Sequence, residues 1–261
     1  MLCNPHNPLG RCYTKSAIEG LLRLCNKHHI HVLADEIYAL SVYEIPNDPA
    51  AIPFTSILSL DTTDLIDPEY LHHLYGFSKD FGAGGIRMGT LITKNQSLRK
   101  AVGAQSFFNW SGNISEKVAT LILEDQQWLD HFLTLSHKRL ASNNVLARQW
   151  LEKYKIPYLK GANAGFFLWI DLREWLPDAE DGEKKSPKSE ELLAGELLKN
   201  GVFLTSGLEM DAEEPGFFRL IFSQDPEFVK EGIKRYVLVS GLPCLRSRDW
   251  LRVYLSSRAF Y

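Results

Sequence analysis

The chain has little cysteine: Cys3, Cys12, Cys25 and Cys244 are its only four. None forms a Cys-x-x-Cys pair or a metal-ligand spacing, so neither a zinc module nor a disulfide scaffold is expected, and a reducing compartment is. A surplus of either charge is also missing, with 29 Lys and Arg against 32 Asp and Glu. Dedicated nucleic-acid binders carry a basic surplus, so that class is set aside. No apolar run reaches the length of a membrane span, and no charged-then-apolar signal opens the N-terminus. The sequons at Asn109 and Asn113 are therefore expected to stay unmodified. There is no internal repeat. What remains is 261 residues of ordinary globular composition, 45% hydrophobic and 23% charged. That predicts a soluble cytoplasmic protein of one large or two modest domains.

Hydrophobic spacing predicts alternating helices and strands. Ile18, Leu21, Leu22, Leu24 and Cys25 mark a helix over 14–28, with Thr14 placed to cap it. Residues 30–34 form a short apolar run ending at Asp35-Glu36, 71–77 a second leading into Lys79, and 88–93 a third. This alternation reads as an α/β architecture with a largely parallel sheet, whose ligands sit beyond the carboxyl ends of the strands. Asp35 and Lys79 both fall at such ends, which points to one shared site. From 115 to 153 the pattern is helical and long enough for more than one helix. An α+β region follows, with strands at 164–172, 202–205 and 217–222 and a helix near 190–199. Residues 178–191 are too polar to pack and read as an exposed loop.

Four segments carry chemistry. The first is Ser78-Lys79-Asp80-Phe81-Gly82-Ala83-Gly84-Gly85-Ile86-Arg87-Met88-Gly89. A lysine at a strand end is usually a solvated charge; with a lowered pKa it becomes a nucleophile that forms an imine with a carbonyl cofactor. An arginine eight positions on offers a fork of donors to a phosphate. The turn is not a dinucleotide loop, because Arg87 stands where a third glycine is required. The second segment is Asn4-Pro5-His6-Asn7-Pro8-Leu9-Gly10, a rigid turn able to aim one amide outward. The third is Asp35-Glu36-Ile37-Tyr38, whose plain reading is a strand-end cap. The fourth is Pro215-Gly216-Phe217-Phe218-Arg219, where Arg219 could simply pair with Asp225 or Glu227. Asn163-Ala164-Gly165-Phe166-Phe167 accompanies them.

In their order along the chain the segments resemble the pyridoxal-phosphate enzymes of the aspartate aminotransferase fold, class I and II. The likeness is strongest to the branch that contains 1-aminocyclopropane-1-carboxylate synthase, and it runs from Asn4 to about Gln224. It implies a partial aspartate-aminotransferase-like large domain over 1–135 that binds the cofactor. A small α+β C-terminal domain over 136–240 follows, and then a tail, 241–261, with no family counterpart. By the resemblance the cofactor is pyridoxal 5'-phosphate, and Lys79 forms the internal aldimine and moves the substrate's α-proton. Asp35 pairs with the pyridinium nitrogen, Asn7 and Tyr38 hold the phenolic oxygen, and Ser78 and Arg87 hold the phosphate. Arg219, with Asn163 beside it, binds the carboxylate of an α-amino acid.

Three outcomes share these residues: transamination, γ-displacement with ring closure, and β-elimination by a carbon–sulfur lyase. The segment 105–113 offers no cation for a second carboxylate, which disfavours a dicarboxylic substrate. No metal, membrane or nucleic acid is implied, and the intact protein would be a homodimer.

Two departures stand out. Gly76 occupies the place of a phosphate-binding serine. Family members also extend far upstream of Asn4, which predicts an N-terminally truncated fold. The missing part would supply the phosphate-cradling helix start, the ring that stacks on the cofactor and much of the dimer interface. Only three residues precede Asn4, which reads as too few for the strand that should deliver the loop. The alternative to an enzyme is a catalytically inactive remnant acting as an interaction module.

Overall fold

The computed structural model describes residues 1–178 and 185–239. The tail after Gly241 and part of the polar loop 178–191 lie outside the described residues. The first sheet has four strands in the order β1 (Leu2–Cys3), β2 (Val32–Asp35), β3 (Leu71–Gly76), β4 (Gly89–Thr93). β1, β2 and β3 run parallel, and β4 is antiparallel to β3. The largely parallel sheet is thus as expected. The expectation that three residues are too few for a delivering strand is corrected. Leu2 pairs with Ala34 and Cys3 with Asp35, and Asn4 continues the ladder by donating its N–H to the Asp35 carbonyl at 3.0 Å.

The helix α1 (Lys15–Lys27) begins where the sequence places it, with Thr14 Oγ1 accepting from the Ala17 amide at 3.2 Å. Its buried residues Ile18, Leu22 and Cys25 fall on one stripe at steps of four and three. They pack with Leu2, Val32, Ala34, Ile57, Leu65 and Ile66 into the core. Each fully buried aliphatic there contributes about 1.5–3 kcal/mol relative to exposure.

The long helical stretch is indeed divided, into α3 (Asn113–Glu124) and α4 (Gln126–Lys153). Ahead of it lies α2 (Gln96–Ser106), and the last helix is α6 (Pro226–Val239). The periodicity argument singled out neither. A second sheet has the order β5 (Phe167–Asp171), β7 (Phe217–Ile221), β6 (Thr205–Ser206). β6 is only two residues long and starts later than the apolar run at 202–205 suggests. The helix α5 (Pro187–Lys199) starts three residues before Glu190, with Ser186 as its cap and Pro187 at its first position. Among the described residues no helix is long and apolar enough to cross a membrane.

By compactness the chain divides into two units. The first comprises Met1–Arg148, Tyr158–Ile170 and Arg219–Ser223. The second comprises Gln149–Pro157, Asp171–Phe218 and the described residues from Gln224 onward. All the candidate site residues, Asn163 and Arg219 included, belong to the first. In the second, the fully buried Glu190 carboxylate accepts from the Leu208 amide at 3.0 Å, from Ser206 Oγ and from the Gly216 amide.

Candidate active site

The site is built at the carboxyl ends of β1, β2 and β3. The loop after β1 is held by Asn4, which is fully buried. Its Nδ2 donates to the Thr55 carbonyl at 3.0 Å and its Oδ1 accepts from the Tyr13 amide at 3.1 Å. One asparagine of the loop is therefore scaffold, and the other, Asn7, is turned outward. Its Oδ1 accepts from Arg219 Nη1 at 2.7 Å, leaving the amide nitrogen as a donor. Gly10 closes the loop at φ +65°, and its carbonyl accepts from the Asn163 amide at 2.9 Å and the Ala164 amide at 3.0 Å. A Cβ at Gly10 would lie 2.9 Å from the Phe167 carbonyl oxygen, so both the left-handed backbone and the contact require glycine.

After β2, Asp35 Oδ1 accepts from the Ile37 amide at 3.1 Å, an Asx-type turn. That bond uses one carboxylate oxygen. Tyr38 is buried, with its ring edge-on to Phe166 and Phe167 at 5.6 and 5.4 Å. Burial pushes its phenol up to about 12, partly offset by the Arg219 charge nearby. At neutral pH Tyr38 is therefore a hydrogen-bond donor, as an oxygen-holding role needs. The Arg219 guanidinium also sits over the Phe167 ring at 5.5 Å. Glu227, the pairing partner considered from sequence, is held by Lys230 at 2.9 Å.

After β3, Lys79 is exposed and its Nζ lies 6.0 Å from the centroid of the Tyr38 ring. Ser78 is half-buried in the same turn. Arg87 is exposed at φ 55°, and its Nη1 donates to the Gly84 carbonyl at 2.9 Å, which folds the side chain back over the glycine turn. Gly76 is explained by the sheet: a Cβ there would lie 2.9 Å from the Met88 carbonyl oxygen. The approach of β4 leaves no room there for a serine side chain.

Asn163 is buried. Its Nδ2 is committed to the Ile52 carbonyl at 2.9 Å, and its Oδ1 has no hydrogen-bond partner among the described residues. Tyr38, Lys79, Asn7 and Arg219 are thus brought close to one another, with Asp35 at the head of the adjacent strand. Asn163 is tied to the same loop through Gly10.

Sequence reasoning gave no role to Asp80 or His137. Asp80 is buried and accepts from Leu40, Ser41 and Tyr75; His137 Nε2 donates to the Leu40 carbonyl at 2.7 Å. A charged residue directly after Lys79 was the available signal for the first; nothing local marks the second.

The donor set suits pyridoxal phosphate. One amine, one carboxylate, a protonated phenol and an amide donor stand at the ends of adjacent strands, with Arg219 bonded to Asn7 and Arg87 in the turn after Lys79, matching a carbonyl, a pyridinium, a phenolic oxygen and two anionic groups.

The model of the class I and II aminotransferase family matches residues 1–235. The chain is 35% identical over 237 residues to 1-aminocyclopropane-1-carboxylate synthase-like protein 1 of Mus musculus, covering 90% of this chain and 44% of that protein. It is 33% identical over 238 residues to 1-aminocyclopropane-1-carboxylate synthase of Nicotiana tabacum, covering 90% and 46%. A solved structure of Thermus thermophilus aspartate aminotransferase, a double mutant, matches its fold with a TM-score of 0.73 at 22% identity, over 91% of this chain and 56% of that one. The chain spans about half the length of the curated relatives it matches. With the family model matching nearly its whole length, the chain belongs to the class I and II aminotransferases.

Proposed function

We propose that this chain carries the cofactor site of a pyridoxal-phosphate-dependent enzyme acting on an α-amino acid, of the aminotransferase or 1-aminocyclopropane-1-carboxylate synthase-like kind. The observation that carries the reading is the placement of Asn7, Asp35 and Lys79 beyond the ends of three adjacent parallel strands, with Arg219 bonded to Asn7. When bound, pyridoxal phosphate supplies a carbonyl for covalent attachment and an electron sink for charge developing at the substrate's α-carbon.

The chain's own residues do the rest. Lys79 would be the amine that holds the cofactor through its carbonyl, and its Nζ would take or return the substrate's α-proton. Asp35 keeps a proton on the ring nitrogen. Asn7 and Tyr38 donate to the phenolic oxygen, and Ser78 and Arg87 to the phosphate. Arg219 clamps the substrate carboxylate, and because Asn7 holds the guanidinium it also sets the orientation of the α-carbon. Asn163 borders the carboxylate end. Transfer of the amino group, ring closure and carbon–sulfur elimination all use this set, and we favour the first two because the relatives are so described. The working state proposed is a cytoplasmic homodimer.

The test is direct. The purified chain is supplied with pyridoxal phosphate, its visible absorption recorded, and the adduct fixed with borohydride and mapped by mass spectrometry. A visible band with the label on Lys79 is the expected result. Absence of a band, or labelling of another lysine, favours the inactive interaction-module reading. With amino acids added, keto acid marks transfer and ammonia marks elimination.

A further inference from the structure

Asp80 is a buried carboxylate directly after Lys79 on which three donors converge, and the chemistry above does not use it. It is 5% exposed. Its Oδ1 accepts from Ser41 Oγ at 2.5 Å, and its Oδ2 from the Leu40 amide at 2.8 Å and the Tyr75 hydroxyl at 3.0 Å. The Leu40 peptide is held on its other side by His137 of α4, which donates to the carbonyl at 2.7 Å. Ser41 in turn receives two further bonds on its backbone, donating to the Tyr38 carbonyl at 3.0 Å and accepting from the Gly165 amide at 2.8 Å. On the far side of the turn, Phe81 packs between Phe77 and the stacked Phe132 of α4, at 5.0 and 5.6 Å.

We infer that Asp80 positions Lys79 against Tyr38, by tying the lysine turn to the Tyr38–Ser41 loop. The inference rests on the cofactor reading above and deepens it. Lys79 is one residue before the carboxylate, and Tyr38 two before the amide that the carboxylate binds. A long flexible side chain can be placed only if its backbone is fixed, and misplacing a reacting group by about 1 Å costs on the order of a hundredfold in rate.

The geometry also says why a carboxylate stands there. Three groups donate to Asp80 at once, and a carboxylate accepts from all of them; an asparagine keeps one acceptor oxygen and turns its N–H groups to the other side, where a hydroxyl must reverse its role or the Leu40 amide loses its acceptor. Burial pushes the Asp80 carboxyl up from its ordinary value, and the bonds from Ser41, Leu40 and Tyr75 and the nearby His137 pull it back. The group is held at a balance that a neutral substitute does not reproduce.

The experiment compares Asp80→Asn, Ser41→Ala and Glu36→Gln in the chain loaded with pyridoxal phosphate. Glu36 is the control: it is equally buried and accepts from Ser56 Oγ at 2.6 Å, the Ile57 amide at 2.7 Å and His73 at 3.1 Å, none of them a candidate site residue. Three quantities are read: the dissociation constant for the cofactor, the midpoint of the pH titration of the visible band, and the urea midpoint. Asp80→Asn is expected to weaken cofactor binding about tenfold and to move the band's titration midpoint. Ser41→Ala keeps the carboxylate and two of its bonds, so it gives the same changes in smaller size and remains informative if Asp80→Asn fails to fold. Glu36→Gln lowers the urea midpoint but leaves the other two quantities in place.

Variants of Asp80 and Ser41 that change only stability, or a Glu36 variant that moves the band equally, overturn the inference. If the wild-type chain forms no band, the cofactor reading fails and takes the inference with it. If it forms one and the two variants keep it unchanged, the Asp80 inference alone fails.

Discussion

Arg219 and Asn7 lie 212 positions apart in the chain and share a hydrogen bond of 2.7 Å, with the guanidinium donating to the amide oxygen. The bond decides which way the Asn7 amide faces: its oxygen is turned to the arginine and its N–H groups elsewhere. A charge-assisted bond in a half-buried place should couple the two residues energetically. In a double-mutant cycle of Asn7→Ala and Arg219→Met, urea unfolding is expected to give a coupling energy of about 1–2 kcal/mol. Simple additivity would mean that the two side chains do not constrain each other.

Lys79→Ala should abolish the visible band and lower any turnover by several orders of magnitude, because the proposed chemistry makes one residue both the anchoring amine and the proton carrier. Asp35→Asn separates charge from shape. Its amide oxygen can still accept from the Ile37 N–H, which the native side chain does at 3.1 Å, so the turn persists. The ring nitrogen loses its counter-charge, and turnover should fall about a hundredfold or more. Near-normal turnover would reduce Asp35 to a strand-end cap.

Gly76→Ser tests whether the missing hydroxyl can be restored. The new Cβ would sit 2.9 Å from the Met88 carbonyl oxygen and 3.3 Å from Ile37 Cδ1, against backbone that is paired between β3 and β4. Overpacking of this kind costs about 1–3 kcal/mol. A lowered urea midpoint with no gain in cofactor affinity is expected; tighter binding at unchanged stability would show that the strands can part.

Acid should weaken the fold through His72. This side chain is buried, its Nδ1 facing Thr93 Oγ1 at 2.7 Å and its Nε2 facing His31 Nδ1 at 2.9 Å. Burial, then the His31 charge, hold its pKa below the ordinary value of 6.5. The unfolded chain then binds more protons than the folded one as pH falls through that value, so stability rises with pH across the window and is lost below it. Urea midpoints measured from pH 7.5 to 5 should decline, and His72→Asn should flatten the slope. A slope unaltered by the substitution would assign the effect elsewhere.

The segment after α2 presents Phe107, Phe108, Trp110 and Ile114, exposed by 79, 82, 72 and 82%. Four large apolar side chains that close together form a patch of the size that drives association. Light scattering should show self-association of the isolated chain, which Phe107→Ser with Phe108→Ser and Trp110→Ser relieves without moving the urea midpoint. A monodisperse parent chain would contradict this.

Much of the first sheet could be read locally. Thr14 announced α1, the apolar runs announced β2, β3 and β4, and Asp35 and Lys79 ended their strands where the ligand of such a sheet belongs. What could not be read depended on contacts made at a distance. Two residues suffice for β1 because Val32–Asp35 waits beside them as a template, and no count of residues reveals that. Asp80 looks like a solvated charge until Leu40, Ser41 and Tyr75 are seen converging on it. His137 acts on Leu40 from 97 positions away. α2 offers no core stripe, since none of its residues is buried, whereas Val229, Ile233, Tyr236 and Val237 of α6 are buried at helical steps that the apolar spacing does carry.

Synthesis order gives the Asn7–Arg219 bond a further meaning. β1 to β4 and the lysine turn leave the ribosome well before residue 219, and such earlier segments begin to fold while the rest is still being made. The Asn7–Arg219 bond cannot form until residue 219 has left the exit tunnel. The bond therefore forms only after the sheet and the lysine turn are complete, and a chain cut short anywhere before residue 219 lacks it.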